Sequence, residues 1–410
     1  MNSHIYVSIV VPIYNTSEYL RRCLDSCIYQ SLPEIEVIVI NDCSPDIRDE
    51  EIALEYKEKY PQKMVYIKNK ENLGLGGARN KGIAAAKGVY VLCVDSDDYI
   101  DFDTCRLMYQ KAVERDADMV MCGYNYLKNG EVMSVIENET NVPIIAVTKL
   151  TKKSLVIKNK LYFPEHHLRC EDLVTLLWNF ASNKTVSVDS ALYYYVSRVN
   201  SLTNSNNNKL TSDIVSVFDY SLSTDFFISI NDHSFKCVVL KYFLTYVLDT
   251  LMEKCVDDES LQQNIVRIKT ILTNKNLMKH LKTDTYIEKR NIGILKISSS
   301  SIKESLNELI ISLTLEEYSE YKHRKIDLWG CGRQGRQLAQ RLHLAGIAFE
   351  CIDVNPKLHG VELYGNIISD PCNIIFDESD VIIVTAKGKY EEVKKRIGEN
   401  YCIVDKCEWR

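Results

Sequence analysis

The feature that most constrains this chain is the alternation, over its first 120 residues, of short β-branched runs with amphipathic stretches. Apolar runs at 5–11, 36–41, 64–67 and 89–94 read as strands. Between the first two, Leu20, Cys23, Leu24, Cys27 and Ile28 recur at helical spacing behind a Thr16-Ser17 cap signal. A second helix is expected over 76–86, with Gly88 as the stop before the next strand. Strands that alternate with helices make a parallel sheet covered on its faces, so the fold class is α/β.

The pattern changes twice further on. After a mixed region with a polar insertion near 129–141, an Asn-rich stretch at 204–208 marks a linker, and residues 210–320 read as mainly helical through apolar periodicity at 214–230 and 235–254. An α/β pattern then restarts with a strand at 325–329, a Gly330-Cys331-Gly332-Arg333-Gln334-Gly335 turn and a helix through Leu344. Three parts are therefore expected, at 1–205, 206–320 and 321–410. The length of 410 residues and 46% hydrophobic content supply a core for each.

Composition excludes several classes. The 56 acidic and 50 basic residues give a net charge of −6 without a long run of either sign, which argues against duplex nucleic acid as a partner. No basic-then-apolar leader precedes the first strand, and nowhere do about 18 apolar residues follow one another without charge. The 14 cysteines sit largely inside apolar patterns, as small hydrophobes do in a reducing cytosol. They form no Cys-any-any-Cys pair and no Cys/His array at zinc-finger spacing, which disfavours structural zinc. The expectation is a cytoplasmic protein. The apolar faces of 214–254 fit either a core or contact with the inner face of a membrane.

In open parallel sheets, ligands sit beyond the carboxyl ends of the strands. Strand one ends at Pro12-Ile13-Tyr14-Asn15 and strand two at Asn41-Asp42. Asp42 can accept hydrogen bonds from a nucleobase or ribose and Tyr14 offers a stacking face; taken alone, either cluster reads more readily as ordinary turn chemistry. Val94-Asp95-Ser96-Asp97-Asp98 places three carboxylates against an apolar strand, which calls for Mg²⁺ or Mn²⁺ unless the turn is simply solvated. Asn72 to Gly82 combines small residues with Arg79, either to let phosphate approach or to pack a helix closely.

Together these residues resemble the inverting family-two glycosyltransferases of the GT-A fold, of the bacterial polysaccharide and lipopolysaccharide type. The resemblance covers 5–125 closely and reaches more loosely to about 205. It implies a nucleoside-diphosphate sugar such as a UDP-sugar as donor, and a saccharide or lipid-linked saccharide as acceptor. Pro12, Tyr14, Asn15 and Asp42 would hold uracil and ribose, with Asn72 and Arg79 nearby, Asp95 facing the ribose or sugar, and Asp97 binding the metal. Cys170-Glu171-Asp172-Leu173 resembles the family's Glu-Asp motif. It makes Asp172 the general base, where the motif alone would read as acids at a helix start. Tyr193-Tyr194-Tyr195-Val196-Ser197-Arg198 resembles the segment that follows, with Arg198 displaced by two residues from the family's arginine. His166 and His167 read as loop residues, a metal or acceptor contact being the other reading.

The last segment carries Gly330, Gly332 and Gly335 after a strand, then Asp353, at the spacing of a dinucleotide fingerprint. It resembles Rossmann-like nucleotide modules of bacterial surface-sugar proteins, and a bound nucleotide and a purely structural module remain alternatives. Two competing functions are an NAD-dependent oxidoreductase centred on these glycines, which leaves the acidic strand end unexplained, and a non-catalytic sugar-nucleotide-binding protein.

Overall fold

A computed structural model describes residues 4–405 except 129–130, 137–143, 168–169, 198–207, 256, 283–284, 298–301, 322, 386–388 and 399–400. The chain forms two compact units, Met1–His280 and Leu281–Arg410. The helices expected between 206 and 320 fall on both sides of that division.

The first unit opens with β1 (Val7–Ile13), α1 (Ser17–Ile28), β2 (Ile35–Asn41), α2 (Ile47–Lys59), β3 (Met64–Lys68), α3 (Gly74–Ala85) and β4 (Tyr90–Cys93). These are followed by β5 (Tyr99–Ile100), α4 (Thr104–Arg115), β6 (Met119–Lys128), β7 (Glu131–Val135), β8 (Lys149–Lys152) and α5 (Lys153–Lys158). A 3-10 turn at Glu171–Val174, α6 (Thr175–Ala181) and β9 (Thr185–Val196) complete its sheet region. The strands lie in the order β3-β2-β1-β4-β8-β6-β9-β5, with β7 paired to β6. Every residue of β1 and β2 is buried, as expected of central parallel strands covered on both faces. Register sets Ile13 beside Asn41 and Val10 beside Cys93, so Tyr14, Asp42 and Asp95 leave the sheet along one edge.

Two local expectations change. The Thr16 hydroxyl does not cap α1 but donates to Ser96 Oγ at 2.8 Å, tying the end of β1 to the acidic turn. Gly88 does not terminate α3 in a left-handed conformation; a Cβ there would lie 2.6 Å from the Ser8 nitrogen, so it is the backbone's close approach to β1 that needs glycine.

Beyond β9 come α7 (Asn208–Leu222), α8 (Asp225–Ser229), α9 (His233–Lys254), α10 (Asp258–Asn274) and a 3-10 turn at Met278–His280. Ile214, Val217 and Phe218 of α7 are buried, as are Val239, Leu240, Phe243, Leu244, Val247 and Leu251 of α9. These positions of the 214–254 periodicity are therefore core, each such side chain contributing about 1.5–3 kcal/mol. Among the described residues no helix is long and apolar enough to cross a membrane.

The second unit holds α11 (Tyr286–Lys296), α12 (Ile302–Glu317), β10 (Ile326–Trp329), α13 (Arg333–Leu344), β11 (Phe349–Ile352), β12 (Glu362–Leu363), β13 (Asn366–Ser369), β14 (Val381–Val384), α14 (Tyr390–Ile397) and β15 (Cys402–Asp405). Its sheet order is β12-β13-β11-β10-β14-β15, parallel throughout except at β12. Alternate residues feed two cores: Ile326, Leu328 and Ile383 pack with Leu338 and Leu342 of α13, while Trp329, Ile382 and Val384 pack with Val393 of α14. Both faces of the sheet are covered by helices.

Candidate active site

Along the common edge of β1, β2 and β4, the polar groups are held in set positions. Pro12 is the sixth residue of β1, Tyr14 is half exposed, and Asn15 takes a left-handed φ of 56° while its N–H donates to Ser44 Oγ at 2.9 Å. Asp42 is buried, and its Oδ1 accepts from Asn69 Nδ2 at 2.7 Å and from the Leu73 N–H at 3.0 Å. Asn72 is exposed, and its side chain accepts the Gly74 N–H at 2.9 Å, turning the chain into α3.

The glycines of α3 serve packing. A Cβ on Gly76 would lie 2.3 Å from the Pro164 carbonyl oxygen, and one on Gly82 would lie 2.2 Å from a Val10 methyl. This close seating drives Arg79 to 1% exposure, with its guanidinium over the Phe163 ring. Its Nη2 donates to Asp95 at 2.8 Å, while its Nη1 donates to Glu171 at 2.7 Å and Asp172 at 2.6 Å. A cation this deep, with both terminal nitrogens donating to carboxylates, is held by Asp95, Glu171 and Asp172. Arg79 joins the end of β4 to the Glu171–Val174 turn, which are 76 positions apart in sequence from Asp95 to Glu171.

The acids around it differ. Glu171 is buried, and burial together with Asp172 beside it pushes its carboxyl up to about 7 despite Arg79. Asp172 keeps 23% of its side chain exposed, its second oxygen accepting the Ala146 N–H at 3.3 Å. Of the strand-end cluster, Asp98 turns inward. It accepts from the Tyr193 hydroxyl at 2.6 Å and the Val196 N–H at 2.8 Å, and burial plus Asp97 and Asp95 raise its carboxyl well above the usual range. Asp97 stays partly exposed, and Arg22 clamps its backbone carbonyl at 2.8 Å. An exposed carboxylate with hard oxygen donors suits a small dication that takes its other ligands from a diphosphate and water.

Sequence reasoning missed Asn69 and Tyr193 as supports. Tyr193 also accepts the Asp95 N–H at 3.2 Å, so one hydroxyl spaces Asp95 from Asp98. Asn69 directly follows β3, and the same strand-end argument that singled out Asp42 would have found it. His166 and His167 are loop residues: the His166 N–H donates to the Leu73 carbonyl at 2.6 Å, and His167 Nδ1 lies 2.7 Å from the Glu165 carbonyl. Arg198 lies outside the described residues.

In the second unit the glycine turn joins β10 to α13. Gly330 has φ 102°, a Cβ on Gly332 would meet nothing within 4 Å, and a Cβ on Gly335 would lie 1.7 Å from the Gly330 carbonyl. Asp353 accepts the Cys331 N–H at 2.6 Å and the Asn355 N–H at 2.8 Å.

Comparison with known proteins bears on both units. The family profile described as Glycosyl transferase family 2 matches residues 8–157, and the one described as C2185-like, N-terminal matches 322–407. A poly(ribitol-phosphate) beta-glucosyltransferase of Bacillus spizizenii is 34% identical over 201 residues, 46% of this chain but 32% of its own length. This chain therefore spans about a third of that relative. The glycosyltransferase GlyG of Streptococcus pneumoniae is 30% identical over 244 residues, which are 53% of this chain and 79% of GlyG. In three dimensions, residues 1–349 of S. aureus TarS, solved in complex with UDP-GlcNAc, superpose with a TM-score of 0.56 at 21% identity over 78% of this chain and 93% of that one. The likeness establishes a GT-A fold, and with the family match and the extent of GlyG that is covered, the chain belongs to glycosyl transferase family 2.

Proposed function

We propose that this protein transfers a sugar, with inversion, from a UDP-sugar-like donor to an acceptor hydroxyl in bacterial surface polysaccharide synthesis. The observation that carries it is the bridge through Arg79, which ties Asp95 at the donor-side strand end to Asp172 at the turn below α6. Tyr14, Asn15, Asp42, Asn72 and Asp95, with Pro12 shaping the turn, line the edge where the nucleotide is proposed to lie. Asp97 would hold Mg²⁺ or Mn²⁺, which when bound supplies positive charge to the leaving diphosphate.

Asp172 is the proposed base. It is the more exposed acid of the Glu171-Asp172 pair, and each carboxylate oxygen keeps a lone pair beyond its contact with Arg79 or Ala146. Proton removal by a placed carboxylate is worth about 10²–10⁴-fold in rate. Arg79 positions Asp172 and Asp95 relative to each other. Relatives named as poly(ribitol-phosphate) glycosyltransferases support a polyol-phosphate or saccharide acceptor. The test is release of nucleoside diphosphate from a panel of UDP-sugars with Mn²⁺ present or removed; no turnover of any of them, with or without acceptor, would refute the donor class.

The second unit is proposed as a Rossmann-like module that binds a nucleotide. Its parallel strands run β13-β11-β10-β14-β15, the order of such sheets, and its glycines divide the work as a phosphate turn does: Gly330 for the turn, Gly332 for open approach, Gly335 for close helix packing. Calorimetry with nucleotides on the full chain tests this reading.

A further inference from the structure

Three side chains that take no part in the strand-end site meet beside the start of α9. His233 and Cys237 lie four residues apart and so share one face of that helix, and His280 closes the Met278–His280 turn against it. One ligand atom from each lies within 4.8 Å of the others, and the two imidazoles have centroids 4.6 Å apart. Cys237 is 5% and His280 8% exposed, while His233 is open to solvent. The Nδ1 of His280 is buried with no hydrogen-bond partner among the described residues, a state that costs free energy unless something outside the protein meets it.

We propose that His233, Cys237 and His280 form a Zn²⁺ site with three protein ligands and water in the fourth position. Two imidazoles and a thiolate are a borderline-soft set, which selects zinc over the hard Mg²⁺ or Mn²⁺ suited to Asp97. Tetrahedral zinc sets its ligands roughly 3.3–3.8 Å apart given bonds of about 2.0–2.3 Å, so small side-chain rotations close the site. Lys236 and Lys279 lie near His280. Those two lysines oppose a dication. Lys236 is directed over the Phe227 ring, and loss of the Cys237 proton to solvent as the S–Zn bond forms leaves the metal and thiolate with a net charge of only +1. No electron is transferred. The metal would pin the first turn of the 22-residue α9 to the end of the first unit.

Sequence spacing disfavoured zinc because the third ligand is 43 positions beyond Cys237, and only the packing of α9 against the 278–280 turn brings it near. The test is titration of the full chain, stripped with chelator, with Co²⁺. One equivalent should give a near-ultraviolet thiolate-to-cobalt band that Zn²⁺ displaces. An oxygen-only site at Asp97 cannot produce that band, so Asp97→Ala should retain it, which separates this inference from the donor-site reading. Cys237→Ser should abolish the band, and His233→Asn, at an exposed position, should weaken binding by at least the roughly 10–100-fold that loss of an outer-shell partner costs, with the circular dichroism unchanged. Should Cys237→Ser fail to fold, the weakened band in His233→Asn alone supports the site. Absence of the band in the wild-type chain at millimolar Co²⁺, or a band unchanged in His233→Asn, overturns it.

Discussion

Each of the two sheets of this chain ends parallel strands beside a glycine-bearing helix start and a carboxylate, yet the polar groups are committed in opposite ways. In the first unit the glycines of α3 are filled by Pro164 and Val10, and the charge is concentrated in Arg79 and its three acids. In the second, the carboxylate of Asp353 is taken up by backbone N–H groups, and the open element is the space above Gly332. A glycine-rich turn is therefore informative only once it is known whether its glycines face protein or solvent. The first unit offers side-chain charge for chemistry; the second offers bare backbone, which suits binding.

The sharpest way to break this contrast is to remove the proposed base. Asp172→Asn keeps size and most hydrogen bonding but cannot take a proton, so kcat for transfer should fall about 10²–10⁴-fold while donor affinity by calorimetry persists. Glu171→Gln is the comparison. If it abolishes transfer and Asp172→Asn does not, the roles are reversed.

Arg79→Ala tests whether the bridge holds the first site together. Removing one partner from buried ion pairs costs about 3–5 kcal/mol, because the remaining charges are left uncompensated. Urea unfolding should show a loss of that size, with Arg79→Lys in between because it restores charge without the two-pronged geometry. A loss under about 1 kcal/mol would mean that the acids do not depend on Arg79.

Asp97→Ala probes the metal. UDP should raise the Tm of the wild-type chain and Mn²⁺ should enlarge the rise, a ligand at 100 times its Kd adding about 2.7 kcal/mol. The variant should keep the UDP shift and lose the Mn²⁺ increment. An unchanged increment would move the metal elsewhere.

What was legible beforehand follows from how local each signal is. Strand ends were readable because β1 and β2 are mostly apolar runs that give way to Tyr14-Asn15 and to Asn41-Asp42. Helix α2 was not, because its buried face is only Ile52, Ala53 and Tyr56 with a buried Asp49 among many charges. Asp98 could not be told from Asp97 in sequence; Tyr193, 95 positions away, decides that one turns inward. Arg79 was recognised as a cation near phosphate-like small residues, but its depth depends on Pro164 and Val10 pressing on the glycines around it.

A pH titration sharpens the first site further. Glu171 has its carboxyl raised from 4.5 to about 7, so the folded chain holds that proton to higher pH than the unfolded chain does. Its contribution is thus most favourable below about 4.5 and is lost as pH rises through about 7. The Tm of the wild-type chain relative to Glu171→Gln should fall between pH 5 and 8. A difference that is flat with pH would mean that Glu171 is ionised throughout.

The smallest effect, and the cleanest test of the second unit, comes from its glycines taken as a pair. Gly335→Ala puts a methyl into the Gly330 carbonyl and should destabilise the unit, whereas Gly332→Ala enters open space at φ −67° and should change stability by about 0.5 kcal/mol or less. If the turn serves only to pack α13 on β10, nucleotide calorimetry will be as silent in the wild-type chain as in Gly332→Ala. If it cradles phosphate, the methyl of Gly332→Ala occupies the approach itself, so binding should weaken while unfolding curves stay superimposable. Binding that survives Gly332→Ala unchanged would place any nucleotide away from this turn, and the contrast between a charge-based first site and a backbone-based second one would lose its second half.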